Sequence, residues 1–324
     1  MGDVAMTVPV LSAFSNAYPK IKLTVLTKKQ FVPLFRDMKM ATVMSADFSA
    51  EHKGLVGLYK LSKSLRAIHI QSVADLHNVL RTKILKLFLS GIKFVQIDKG
   101  RKEKKALITG KTNAPLRTTT QRYADVFRNL GFEFEINTPT FPPPKSLAPA
   151  ITKVLGAFSN SSIGIAPFAA YASKTYSISK MDQVISELQK ESKVLLFGGG
   201  VNEIKQLEAI ASKYSNVFCV AGKFSLDHEL DIISNLKVML SMDSSNGHMA
   251  AMQGVKVVTL WGVTHPNAGF APFHQNQNNN LLSDQKKYPK IPTSIYGNSY
   301  PKEYENAMQT ISVESIIKTV QDLL

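Results

Sequence analysis

The residues from Met242 to Gly262, MDSSNGHMAAMQGVKVVTLWG, set an acid, two serines, an amide, a glycine and a histidine between two apolar runs. Leu236–Asp243 is predicted to be a strand, Ser244–Gly247 a turn, His248–Gln253 a short helix and Val255–Leu260 the next strand, together a βαβ unit. A helix starting there presents unpaired backbone N–H groups and a partial positive charge. Small hydroxyl residues at its start let a phosphate approach closely and add donors, so the turn can cradle a pyrophosphate. The plainer account is a helix capped by Asp243 or Ser244 that binds nothing; the residues alone leave both open.

Other segments imitate chemistry without its full pattern. TGKT (Thr109–Thr112) ends like a phosphate-binding loop, but the position that needs the earlier glycine is Lys105. GGGVNE has Glu203 where a dinucleotide fingerprint needs its last glycine, which argues against a nicotinamide or flavin enzyme. SISK (Ser177–Lys180) has Ser-x-x-Lys spacing without its companion motifs.

Short apolar runs that alternate with amphipathic segments must position these residues. Strands are predicted at Ile21–Thr27, Arg66–Gln71 and Lys93–Asp98 in the first half. In the second they fall at Ser162–Phe168, Lys193–Gly199, Asn216–Gly222, Leu236–Asp243 and Val255–Gly262. Helices are predicted at Ser179–Glu191, Asn202–Tyr214 and Ser312–Leu324. This alternation indicates α/β architecture with parallel sheets covered on both faces. TPTFPPPKS (Thr138–Ser146) is the best linker, because consecutive prolines continue neither a helix nor a central strand. The expected division is 1–145, 146–310 and a terminal helix over 311–324 that packs back. HQNQNNN (His274–Asn280) reads as a mobile loop.

At 44% apolar and 19% charged residues, the chain has enough apolar side chains for packed cores and is not globally disordered. Its single cysteine, Cys219, excludes an internal disulfide and a cysteine-built metal site. No run is long enough to span a membrane and the start lacks a basic secretion signal, so a cytoplasmic protein is expected. The formal charge is +15. Residues 1–150 hold 24 Lys+Arg against 10 Asp+Glu, whereas 151–324 hold 15 against 14. So lopsided a charge predicts an acidic partner for the first half: nucleic acid, anionic lipid or a phosphorylated substrate. Aromatic residues are not interleaved with the basic clusters as base stacking requires, which disfavours nucleic acid.

With these residues in view, the segment from Met242 onward resembles the nucleotide-binding signature of glycosyltransferase family 9, the ADP-heptose:lipopolysaccharide heptosyltransferases. Asp243, Ser244, His248, Ala250 and Ala251 match its Asp–Thr–Gly–x–x–His–x–Ala–Ala pattern, and Gly262, Thr264 and Pro266 match the end of the following strand. MGDVAMTVPVLSAFSNAYP resembles the family's Gly–Asp loop and first helix, DLHNVLRTKIL (Asp75–Leu85) its Asp-Leu…Arg stretch, IGIAPFAAYASKTYS (Ile163–Ser177) its phosphate-binding lysine loop, and LLFGGGVNE (Leu195–Glu203) the strand and turn after it. These matches run in order along nearly the whole chain.

The resemblance implies a GT-B architecture of two Rossmann-like, doubly wound domains: an acceptor-binding, basic first domain and a nucleotide-sugar-binding second. It implies a metal-independent inverting transfer of heptose from ADP-heptose to a lipopolysaccharide inner-core acceptor, with no cofactor. The roles it assigns are catalytic base for Asp3 and donor phosphate and nucleotide binding for Lys174, Glu203, Asp243, Ser244, Ser245, His248 and Thr264. In the basic clusters Glu51–Arg66 and Lys99–Lys105, His52, Lys53 and Arg101 become acceptor candidates. The implied partners are the donor, an anionic glycolipid and, peripherally, the inner face of the cytoplasmic membrane. The rivals are a family 9-like transferase with another donor or acceptor, a non-catalytic relative, and a basic nucleic-acid-binding protein.

Two departures stand out. Ser245 replaces the signature glycine, so its turn needs a conformation that serine can hold. The chain also begins inside the Gly–Asp loop, where the family has a preceding apolar strand; about 8–12 further upstream residues are expected in the natural protein.

Overall fold

The structure, a computed structural model, describes every residue except 157, 159 and 160. The helices in chain order are α1 (Gly2–Ala5), α2 (Thr7–Ala17), α3 (Gly54–Ala67), α4 (Leu80–Phe88), α5 (Arg101–Ile108), α6 (Thr119–Leu130), α7 (Pro149–Leu155), α8 (Ile178–Leu188), α9 (Val201–Ala211), α10 (Leu226–Ser234), α11 (Ser245–Met252) and α12 (Val313–Gln321). The strands are β1 (Leu23–Lys28), β2 (Ala41–Ala46), β3 (Ser72–Asp75), β4 (Lys93–Gln96), β5 (Ile163–Ala166), β6 (Val194–Leu196), β7 (Val217–Cys219), β8 (Val238–Met242), β9 (Lys256–Trp261) and β10 (Asn280–Leu282). The chain forms two compact units. One holds Met1, Met6–Gly100 and Arg117–Thr140; the other holds Gly2–Ala5, Arg101–Leu116 and Phe141–Leu324. The break at Thr140 falls inside the proline-rich segment, which forms neither helix nor strand.

In the first unit β1 pairs with β2 and β3 with β4, both in parallel, as two separate two-stranded sheets instead of the single sheet expected. Side-chain burial joins what hydrogen bonds do not. Leu26 and Met44 from one pair and Val73 and Phe94 from the other pack on Leu58, Leu61 and Leu65 of α3 and on Leu85 and Leu89. The strand expected at Arg66–Gln71 is absent: α3 runs on to Ala67 and β3 begins at Ser72. Nothing in the run itself marks that shift, since its alternation of apolar and polar residues also fits the last turn of an amphipathic helix. Helix α6 packs on β3, β4 and α2. It starts with a reciprocal cap, in which the Gln121 amide donates to Thr118 Oγ1 (3.1 Å) and the Thr118 amide to Gln121 Oε1 (2.9 Å). Phe14 of α2 lies 4.6 Å from Phe127 of α6, ring centre to ring centre.

Asp75 ends β3 and is 5% exposed. Its Oδ1 accepts the amides of His77 (3.0 Å) and Asn78 (2.8 Å), and its Oδ2 accepts from Gln96 Nε2 (2.9 Å). Asp75→Ala leaves those buried donors unpaired. It is expected to lower stability by about 1–3 kcal/mol, read as a lower urea midpoint with the slope unchanged.

The second unit is built on a six-stranded parallel sheet of order β10-β9-β8-β5-β6-β7. All five strands predicted in this half are present, each shorter than its apolar run. Alternate residues enter one layer: Ile163 and Ile165, Val194 and Leu196, Val238 and Leu240, Val258 and Leu260. Met181, Val184 and Ile185 of α8, Leu207 and Ile210 of α9, and Ile316 and Val320 of α12 cover that layer. Helix α11 packs on β8 and β9, and α10 on α11. The segment expected to be a mobile loop instead leads into the edge strand β10. The Val257 amide donates to Gln275 Oε1 (2.7 Å), and Trp261 Nε1 donates to Asn280 Oδ1 (2.8 Å). A polar run can be ordered when its amides satisfy a sheet edge, which composition does not reveal.

On α10, burial pushes the Glu229 carboxyl up from 4.5 to about 7. The folded chain therefore holds a proton that the unfolded chain releases over that window, so this group's contribution is present at acid pH and lost as pH rises through about 7. Glu229→Gln is expected to raise the thermal midpoint at about pH 8 and leave it nearly unchanged near pH 4.5, measured by calorimetry.

Candidate active site

Strand order locates the candidate site. From β5 the chain moves outward through β6 and β7, then returns to the other side of β5 and moves outward through β8, β9 and β10. The direction reverses between β5 and β8, and loops leaving the carboxyl ends of two such strands diverge to leave a crevice. The loop after β5 carries Lys174, and the residue after β8 is Asp243.

Lys174 Nζ donates to the Asp243 carbonyl (2.7 Å) and to Asp243 Oδ2 (3.2 Å). Thr264, from the loop after β9 and 1% exposed, donates through Oγ1 to the same Oδ2 (3.0 Å). The side chains of Lys174 and Asp243 are 12% and 10% exposed. A lysine so placed is a largely desolvated cation with its stem fixed. Ser173 Oγ donates to the Gly297 carbonyl (2.5 Å), and Gly297, at φ +82°, passes so close that a Cβ there would lie 2.7 Å from Lys174 Cγ. Ser173 lies within the quoted lysine-loop segment but was given no role there, and no motif marked the 294–297 turn, whose only signal was a Gly/Ser/Asn-rich stretch.

Helix α11 begins one residue after Ser244, and Ser244 makes no side-chain cap. The Asp243 carboxylate is already engaged by Lys174 and Thr264. The side-chain cap that the plain account expects from Asp243 or Ser244 is therefore not formed. Ser245 needs no glycine-like backbone: it is the first helical residue, and among the described residues the non-glycine positions with positive φ are His69, Asn78 and His274. Ser241 Oγ, Ser244 Oγ and His248 Nδ1 are buried without a hydrogen-bond partner among the described residues. Buried polar atoms left unpaired are costly.

Asp3 lies in α1, which packs against α11 within the second unit. A Cβ on Gly2 would sit 3.0 Å from His248 Cδ2 and 3.5 Å from Ser245 Cα, so this close approach suits glycine. Burial lowers the His248 pKa below its usual 6.5; the charges of Asp243 and Asp3 pull it up and that of Lys174 pushes it down. Burial likewise raises the Tyr296 phenol, with Asp3 raising it further and Arg101 opposing. Asp243, Asp3 and Lys174 thus act on the one imidazole of His248, and Asp3 and Arg101 on the one phenol of Tyr296.

Glu203 sits in the first turn of α9, after β6, where its Oε2 accepts the Gly199 amide (2.8 Å). His52 and Lys53 belong to the first unit. His52 is 7% exposed and its Nδ1 accepts the Asp47 amide (3.1 Å), so it closes the turn before α3; Lys53 is the exposed residue just before that helix. Among the described residues no three His, Cys, Asp or Glu side chains are grouped to hold a metal ion, and no helix is long and apolar enough to cross a membrane.

Comparison with known proteins follows the same lines. The sequence model described as Glycosyltransferase family 9 (heptosyltransferase) matches residues 58–299. The lipopolysaccharide core heptosyltransferase OpsX of Haemophilus influenzae is 24% identical over 337 aligned positions, spanning 100% of this chain and 94% of its own. Lipopolysaccharide heptosyltransferase 3 of Escherichia coli is 22% identical, spanning 100% and 95%. Among solved structures, the family 9 glycosyl transferase of Veillonella parvula superposes with a TM-score of 0.74 at 18% identity, covering 99% of this chain and 94% of its own. The Escherichia coli heptosyltransferase WaaC with ADP superposes at 0.68 and 16% identity, covering 100% and 97%. These likenesses establish the GT-B fold class.

Proposed function

We propose, from the premise that this chain belongs to glycosyltransferase family 9 and is a glycosyltransferase, that it moves a heptose from ADP-heptose to an anionic lipopolysaccharide inner-core acceptor. The supporting observation is the Lys174–Asp243–Thr264 group, set at the strand-order reversal before the uncapped start of α11. The donor diphosphate lies against Lys174 and the first amides of α11, with Ser244 Oγ and His248 Nδ1 as further partners. Glu203 accepts hydrogen bonds from the ribose hydroxyls.

In this reading Asp3 takes the proton from the attacking acceptor hydroxyl. A bond forms from that oxygen to the anomeric carbon, and the bond from the anomeric carbon to the diphosphate oxygen breaks. ADP leaves with the electron pair, and configuration inverts. Lys174 and the helix amides carry the growing negative charge, so the step needs no metal. Fixed donors aimed at developing charge are the strongest contribution a site of this kind can make. Arg101 is assigned to the acceptor's acidic groups; Lys53 is an exposed cation of the first unit, whereas His52 is turned inward to close the turn before α3. The reading includes a cytoplasmic location, peripheral at the inner membrane face.

The test is thermal unfolding with ADP, UDP, GDP or NAD at equal concentration. At about 100 times its dissociation constant, ADP should stabilise by about 2.7 kcal/mol, and the other three much less. A selective UDP or GDP shift would assign a different donor. A clean transition moved by none of them would defeat the nucleotide-site reading.

A further inference from the structure

We propose that the outer face shared by α3 and α4 docks this protein on an anionic lipid bilayer. The inference deepens the reading of an anionic glycolipid acceptor, and rests on it for its biological meaning. Helix α3 turns Leu58, Leu61 and Leu65 into the core of the first unit. Its opposite side carries Leu55 (62% exposed), Val56 (70%) and Tyr59 (47%), followed by Lys60, Lys63 and Arg66. Positions 56, 59, 60, 63 and 66 recur at helical spacing and lie along one stripe. Helix α4 buries Leu85 and exposes Leu80 (74%) and Leu87 (73%), with Lys83 on the same stripe and Arg81 and Lys86 beside it.

The two stripes adjoin. The rings of Tyr59 and Phe88 meet edge-on at 5.6 Å, and Arg66 Nη2 donates to the carbonyls of Phe88 (3.0 Å) and Ser90 (2.8 Å). Neither helix contains an acidic residue. Six lysines and arginines therefore surround five large apolar side chains that the unit's own core does not use. Apolar side chains interleaved with lysine on a helix face suit the boundary between headgroups and acyl chains, where the apolar groups insert and the cations meet anionic headgroups.

The other basic cluster is a useful contrast. In α5 the exposed residues are Arg101, Lys102, Glu103 and Lys105, while Lys104 is turned in over the Phe270 ring at 4.2 Å. That helix exposes no large apolar side chain, so it makes a solvated face. Against one exposed ring, Tyr59, the face sets four exposed aliphatic side chains, Leu55, Val56, Leu80 and Leu87, which distinguishes it from a nucleic-acid surface built on phosphate contacts and stacking rings.

The experiment is co-sedimentation of the full chain with vesicles of one part phosphatidylglycerol to three parts phosphatidylethanolamine, and with pure phosphatidylcholine. Two variants alter the face: Leu55→Ser with Val56→Ser, Leu80→Ser and Leu87→Ser, and Lys60→Glu with Lys63→Glu, Lys83→Glu and Lys86→Glu. Lys102→Glu with Lys105→Glu is the control. The unaltered chain should favour the anionic vesicles by about 10-fold or more, both face variants should lose about that factor, and the control should not. Unchanged thermal midpoints and ADP-induced shifts in the variants would show that folding and the nucleotide site are intact. ADP binding without vesicle binding would defeat the docking face alone; vesicle binding without ADP binding would defeat the nucleotide reading alone. Equal loss in the control, no loss in the face variants, or binding of an oligonucleotide but no vesicle would overturn the proposal.

Discussion

Lys174→Ala is expected to lower kcat/KM for the nucleotide-sugar donor by roughly 10²–10³-fold, the usual cost of removing one fixed donor to developing charge. Three features argue for a large effect. The cation is mostly shielded from water, so solvent screens it little. Its stem is wedged by Gly297, and its head is aimed by Asp243 and Thr264. Its loss also leaves the Asp243 carboxylate beside the diphosphate with no cation between them. Lys174→Arg should not restore activity, because a planar guanidinium does not fit a slot shaped for an unbranched stem. ADP affinity should fall in parallel, seen as a smaller ADP-induced shift of the thermal midpoint. An alanine variant with normal ADP affinity and normal turnover would remove Lys174 from the site.

The second large effect is expected at Asp3. Asp3→Asn keeps the shape of the side chain but cannot accept the acceptor's proton. It should lower kcat by about 10²–10⁴-fold, the range for general-base catalysis. ADP binding should survive, because Lys174 and α11 are untouched; this separates loss of a base from loss of the fold. Loss of ADP affinity together with rate would instead make Asp3 a prop for His248 and α11. Asp3 influences the His248 imidazole, so that alternative has a definite structural route.

Much of this was legible in the sequence. Strands β5 to β9 were readable because a parallel strand covered on both faces must be apolar throughout, and such runs stand out between amphipathic helices. The Met242–Gly262 segment announced a βαβ unit, and the chain forms it as β8, α11 and β9. The first half was less legible. Its strands are only partly buried, and β2 (ATVMSA) mixes polar and apolar residues without marked alternation. The end of α3 carries the same apolar content as a strand, so no local rule separates them.

Tertiary structure alone decided three matters. The order of strands in the second sheet, with its reversal between β5 and β8, joins Lys174 to Asp243 across 69 positions of sequence, and no local pattern encodes such a pairing. Whether Asp243 and Ser244 cap α11 or leave it open depended on what else reached Asp243, and that proved to be Lys174 and Thr264. In the leucine-containing basic cluster of α3, only burial decided which apolar residues face outward beside the lysines. The α5 cluster turns a lysine inward onto Phe270 and exposes charge alone, while that of α3 exposes leucine and valine beside its lysines, because its remaining leucines fill the core. Sequence determines which residues are available to a helix face; only packing determines which of them remain facing outward.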